Sequence, residues 1–154
     1  MSVEQRKRVL VVDDDPRVRE LLVWVLERHS LVVDQASDGR EALALVAEHQ
    51  YAVIVLDLLM PVLDGFGVLA ALAEREISSP PVVLVLTAAD GGEVLRLDAR
   101  RVHGIVKKPF DAEELASIIV ACAEIRTRNI FGAMAIATVL AGGPLLALID
   151  RFSG

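Results

Sequence analysis

Short apolar, β-branched runs that each stop at a polar residue constrain this chain more than any other feature. Val9–Val12 ends at Asp13-Asp14-Asp15, Ala52–Leu56 at Asp57, Val82–Leu86 at Thr87, and His103–Val106 at Lys107-Lys108. Runs without polar alternation suit strands buried on both faces. Leu31–Ala36 is a further extended run. Helical spacing fills the intervals. Pro16, with Asp15 as N-cap, opens a helix carrying Leu21, Leu22, Val25 and Leu26 to about Arg28. Gly39–Glu48 and Phe66–Glu74 are two more, residues 90–100 make a weak helix at best, and Asp111 caps a last one reaching about Arg128. Five strands alternating with five helices require right-handed crossovers, so the fold class is α/β, with a five-stranded parallel sheet covered on both faces.

Charge divides the chain. Residues 130–154 contain only Asp150 and Arg151 as ionisable acid and base, whereas residues 1–129 are densely charged. Residues 1–129 therefore read as one complete domain, and 130–154 as an apolar helical extension that is no domain of its own. A length of 154 residues suits one full core. With 54% hydrophobic residues, general disorder is excluded. A net charge of -6 argues against a basic nucleic-acid footprint. The single Cys122 excludes an intrachain disulfide, and His29, His49 and His103 lack metal-ligand spacing. Val9–Val12 is too short for a secretory apolar segment, which makes a cytoplasmic location the expectation.

In open parallel sheets, ligands sit at the carboxyl ends of the strands. Those ends carry Asp13, Asp14, Asp57, Thr87 and Lys108. Carboxylates crowded at one edge repel one another, and a hard divalent cation resolves the conflict. Asp14, Asp57 and the carbonyl of Leu59 are expected as direct Mg2+ ligands, with Asp13 acting through water. Asp57 is the candidate nucleophile toward phosphorus. Lys108 supplies a positive charge, and Thr87 a hydroxyl donor, for phosphoryl oxygens.

This set resembles the receiver domain of two-component response regulators. The acidic pair is Asp13-Asp14, and the phosphoacceptor segment is Asp57-Leu58-Leu59-Met60-Pro61-Val62-Leu63-Asp64-Gly65. Thr87 is followed by the small Ala88, and Lys108-Pro109-Phe110 matches the family's Lys-Pro-Phe. The resemblance spans about residues 7–128. It implies a doubly wound, flavodoxin-like receiver fold with strand order 2-1-3-4-5, and a switch controlled by phosphorylation of Asp57. It also implies Mg2+ as cofactor, a sensor histidine kinase or histidine phosphotransfer protein as donor, and a cis bond before Pro109. The output would be contact with a downstream protein through the face of the fourth helix, fifth strand and fifth helix, here bearing Arg96, Asp98, Arg100, Lys107 and Glu113. No independent enzymatic activity is expected beyond self-phosphorylation and self-dephosphorylation at Asp57.

The chain departs from the family at three points. Ile105 stands where the family usually has Tyr or Phe, so a ring toggle is absent. Leu59 and Ala89 occupy positions that tune hydrolysis, and neither positions a water, which predicts slow self-dephosphorylation. The third is the tail. Ile130–Ile149 is 20 residues without charge, a span of roughly 30 Å if helical. Gly142-Gly143-Pro144 interrupts it. The expectation is a helix over Phe131–Ala141 that serves a homodimer through residues 130–154, with packing on its own receiver and membrane contact as alternatives. The absence of a helix-turn-helix signature or basic stretch after Arg128 predicts no direct DNA binding. The rival function is a receiver-like protein acting as a constitutive dimer or interaction module without phosphorylation. A haloacid-dehalogenase-like phosphatase is disfavoured because Leu59 occupies the place of its second aspartate.

Overall fold

The computed structural model describes residues 7–88, 94–98 and 100–128, and the backbone strands 136–139 and 146–148. Its elements are β1 (Arg8–Val12), α1 (Pro16–Glu27), β2 (Val32–Ala36), α2 (Gly39–Glu48), β3 (Val53–Asp57), α3 (Gly65–Glu74), β4 (Val82–Thr87), a 3-10 turn (Val94–Arg96), β5 (Gly104–Lys107), α4 (Ala112–Arg128), β6 (Ile136–Val139) and β7 (Leu146–Leu148). The first five strands are parallel neighbours in the order β2-β1-β3-β4-β5. This is the doubly wound receiver arrangement.

Strand alternation sorts the core into two layers. Val9, Val11, Val53, Val55, Leu84 and Leu86 face α1 and α4, meeting Leu22, Leu26, Leu115 and Ile119. Leu10, Val12, Ile54, Leu56, Val83 and Val85 face α2 and α3, meeting Ala42, Val68 and Leu69. Because both faces are apolar, polar groups collect at the strand ends. Aspartates start the helices: the carboxylates of Asp15, Asp38 and Asp64 accept backbone N–H groups of Arg17, Glu41 and Gly67, and Asp111 accepts that of Glu114. Each satisfies a donor that the first helical turn leaves unpaired.

The structure corrects two expectations. Where a fourth of five helices was expected over residues 90–100, the described part holds a single 3-10 turn. Gly91-Gly92 and the lack of a helical apolar stripe explain this, since glycine raises the entropic cost of a helix. The tail was expected to be helical, yet Ile136–Val139 and Leu146–Leu148 are strands. β6 joins β5 in parallel, Ile105 opposite Thr138, and β7 joins β6 antiparallel. Ile136, Thr138 and Val139 are β-branched, and β5 would otherwise present an open edge. The remainder of 130–154 lies outside the described residues, as do the 129/130 boundary and Ala89. Among the described residues no helix is long and apolar enough to cross a membrane.

Candidate functional site

The site forms where four strands end side by side. β1 delivers Asp13 and Asp14, the last residue of β3 is Asp57, the last of β4 is Thr87, and Lys108 follows β5. Asp13 is fully buried, Asp57 is 5% exposed and Thr87 2% exposed, whereas Asp14 is open to solvent. Carboxylate oxygens of Asp13, Asp14 and Asp57 all lie within 4.8 Å of one another. The three acids thus come together in a layered way: two buried acids below, one exposed acid at the rim.

Lys108 is the counter-charge. Its Nζ donates to Asp13 Oδ2 at 2.7 Å and to Asp57 Oδ2 at 3.4 Å. The closer pairing is with Asp13, so Asp57 is the less compensated of the two. Asp57 Oδ1 accepts a long bond, 3.3 Å, from the Leu59 N–H. Burial, and then the charge of Asp13, push the Asp57 carboxyl up to about 6, against the opposing pull of Lys108. Burial works against the Lys108 ammonium, but its bonds to Asp13 and Asp57 outweigh that and hold its pKa above the ordinary lysine value. Thr87 also positions Lys108 through the backbone, its carbonyl accepting the Lys108 N–H at 2.8 Å. The Lys108–Pro109 bond is cis, as the family resemblance implies.

Several supporting residues were not singled out from sequence. Asp13 is fixed by its neighbours: Oδ1 accepts the Asp15 N–H at 2.9 Å, and its carbonyl accepts Arg19 Nη1 at 2.7 Å. Gly65 opens α3 directly over Asp57. A Cβ there would strike the Asp57 carbonyl oxygen and lie 2.8 Å from Leu58 Cα. Glycine is thus required for the close approach of α3 to the end of β3 that carries Asp57. The signal available was the Asp64-Gly65 pair, whose aspartate caps the same helix.

Other expected positions are placed as follows. Leu59 is 49% exposed beside Asp57, Ala88 is exposed, and Ile105 is half-buried against the α2/α3 side of the core. Of the expected output residues, Asp98 pairs with Arg100 at 3.1 Å, Glu113 pairs with Arg28 of the first crossover at 3.2 Å, and Arg96 lies over Phe66. Lys107 is exposed. His103 is structural: its backbone N–H donates to the Val83 carbonyl, and its Nδ1 accepts the Val83 N–H at 2.8 Å. Burial holds its imidazole below the ordinary histidine value.

The donor set suits a hard divalent cation. It offers carboxylate oxygens alone, with one exposed acid through which an ion can enter, and a buried carboxylate whose charge is incompletely offset. The family described as the response regulator receiver domain matches residues 9–120. Transcriptional regulatory protein SrrA of Staphylococcus aureus (strain NCTC 8325 / PS 47) is 38% identical over 109 residues, covering 70% of this chain and 44% of its own length. The chain therefore spans less than half the length of that relative. Among solved structures, the Francisella response regulator 1452 receiver domain is 32% identical with a TM-score of 0.68, covering 77% of this chain and 98% of that one. Response regulator protein TrrA from Thermotoga maritima, solved in complex with Mg2+ and BeF, is 30% identical with a TM-score of 0.65, covering 75% of this chain and 98% of its own.

Proposed function

The chain belongs to the response regulator receiver domain family, and on that premise we propose that it is a signalling switch whose state is set by a phosphoryl group on Asp57. The observation that carries this reading is the undercompensated Asp57 carboxylate, buried at a strand end between an acid cluster and the Lys108 ammonium. Asp13, Asp14 and Asp57 would hold Mg2+, which when bound neutralises charge and orients the phosphoryl oxygens.

The chain's own groups account for the rest. A carboxylate oxygen of Asp57 forms a bond to phosphorus as the phosphorus–nitrogen bond of a donor phosphohistidine breaks. The donor imidazole leaves with the electron pair and takes up a proton. Lys108 then exchanges part of its contact with Asp57 for a phosphoryl oxygen, while its bond to Asp13 keeps it in place. The Thr87 hydroxyl donates to a second oxygen. Positioning and charge are most of what such a transfer demands, so no protein base is needed. Leu59, exposed and apolar, orients no water at the acyl phosphate, which supports slow self-dephosphorylation.

The donor would be a sensor histidine kinase or histidine phosphotransfer protein of a two-component system in the cytoplasm, and the output would be contact with a downstream protein. The strands β6 and β7 extend the chain's own sheet, which favours packing of 130–154 on the home receiver over a homodimer. Sizing chains with and without those residues separates the two.

The test is incubation with phosphoramidate or acetyl phosphate and Mg2+, read by intact mass. One adduct of about 80 Da is expected. It is lost in Asp57→Asn, and chelation of Mg2+ slows its appearance. A folded wild-type protein that stays unmodified would sink the reading and favour the rival, a phosphorylation-independent interaction module.

A further inference from the structure

Asp14 is the exposed acid of the cluster, so its place is set by the backbone that carries it. Arg19 holds that backbone on both sides. Its Nη1 donates to the Asp13 carbonyl at 2.7 Å, and its own backbone N–H donates to the Asp15 carbonyl at 3.2 Å. The residues before and after Asp14 are thus tied to one side chain near the start of α1. The guanidinium is anchored in turn. Its Nε donates to Gln35 Oε1 at 3.2 Å, on β2, and the next carbonyl of that strand, Ala36, accepts the Asp13 N–H at 3.1 Å. The loop from β1 into α1 is therefore clasped between the first turns of α1 and the end of β2. Arg17 is the contrast. It carries the same charge two residues earlier, but its 88% exposed side chain grips the Asp15 carboxylate, at 3.2 Å, and not the backbone around Asp14.

We propose that Arg19 is a positioning residue that fixes the Asp13–Asp15 loop so that the acid cluster takes Mg2+ in preference to the larger Ca2+. The proposal rests on the reading of Asp13, Asp14 and Asp57 as the groups that hold the cation. Charge and geometry make opposite demands of Arg19. As a cation beside a cation site, it repels either ion, and the two ions carry equal charge, so its removal would tighten both alike. As a clasp, it fixes where the Asp14 carboxylate stands relative to Asp57. Mg2+ demands a nearly ideal octahedral shell, whereas Ca2+ accepts longer and more variable ones, so a slackened loop costs Mg2+ far more than Ca2+. The bonds to the backbone on both sides of Asp14 favour the second role.

The experiment titrates the full chain with Mg2+ and, separately, with Ca2+, and follows the amide resonances of Asp14 and Asp57 by two-dimensional NMR. Arg19→Met keeps the aliphatic stem and removes every side-chain donor. It should raise the Kd for Mg2+ about tenfold and that for Ca2+ by no more than about twofold. Arg19→Lys, which keeps a cation able to donate to the Asp13 carbonyl, should hold the Mg2+ Kd within about threefold of the wild type. Arg17→Met, which removes the same charge from the same turn, should leave the ratio of the two affinities unchanged. Equal shifts for the two ions in Arg19→Met, or tighter binding of both, would overturn the proposal, since charge alone then describes the residue. A wild type whose Asp14 and Asp57 resonances show no saturable response to Mg2+ overturns the reading of the cluster as a cation site instead.

Discussion

Two aspartates in this molecule meet arginine, lysine and tyrosine partners with opposite outcomes. Asp34, in the middle of β2, accepts Arg8 Nη1 at 2.6 Å and the Tyr51 hydroxyl at 2.7 Å on Oδ2. Burial disfavours its charge, but those two bonds outweigh it and hold the carboxyl below its ordinary value. Asp57 has a lysine 3.4 Å away that is better engaged elsewhere, and a second buried acid beside it. Its carboxyl is pushed up to about 6 by burial and by Asp13. One carboxylate is finished by the fold, and the other is left for something outside the chain to finish. On the proposed reading, that difference separates a structural acid from the phosphoacceptor, although both sit within one sheet.

The comparison breaks most visibly at Lys108. Lys108→Ala leaves the fully buried Asp13 without its ammonium, and a loss of about 3 kcal/mol is expected. Added Mg2+ should restore part of it, measured by urea denaturation with and without the ion; no recovery would argue against a cation site. Asp57→Asn should do the reverse and stabilise the metal-free protein by about 1–2 kcal/mol at pH 7. The sign follows from a folded pKa above the unfolded one: the unfolded chain gives up its proton first, so the Asp57 penalty grows as pH rises from about 4 to 6. The gain from Asp57→Asn should therefore fade toward pH 4, and a gain independent of pH would contradict the assigned cause. Tyr51→Phe should give a smaller effect, about 1 kcal/mol lost, with adduct formation at Asp57 unchanged. The stability that Asp34 contributes is present above the ordinary carboxylate pKa and lost as pH falls through its depressed folded value, so Tyr51→Phe should flatten the acid limb of the stability curve.

The same two sites show what can be read from sequence. Asp57, Thr87 and Lys108 were legible because each terminates an apolar run, and the sheet order brings run ends together. The closing of α3 on Asp57 was legible only as an Asp-Gly pair, since the backbone contact that demands glycine depends on where the helix lands. The trio of Arg8, Tyr51 and Asp34 was not legible: they come from the start of β1, the loop before β3 and the middle of β2, and only the β2-β1-β3 pairing makes them neighbours. The tail misled for another reason. An uncharged Ala-rich run satisfies helical criteria locally, whereas the strands at 136–139 and 146–148 depend on a partner edge at β5 that no local pattern encodes.

The bond between Lys108 and Asp13 joins residues 95 positions apart, and that between Lys108 and Asp57 joins residues 51 apart. During synthesis, then, a nascent chain shows its acids long before it owns the ammonium that organises them. On the proposed reading of Asp57 as phosphoacceptor, modification then becomes a certificate of completed folding.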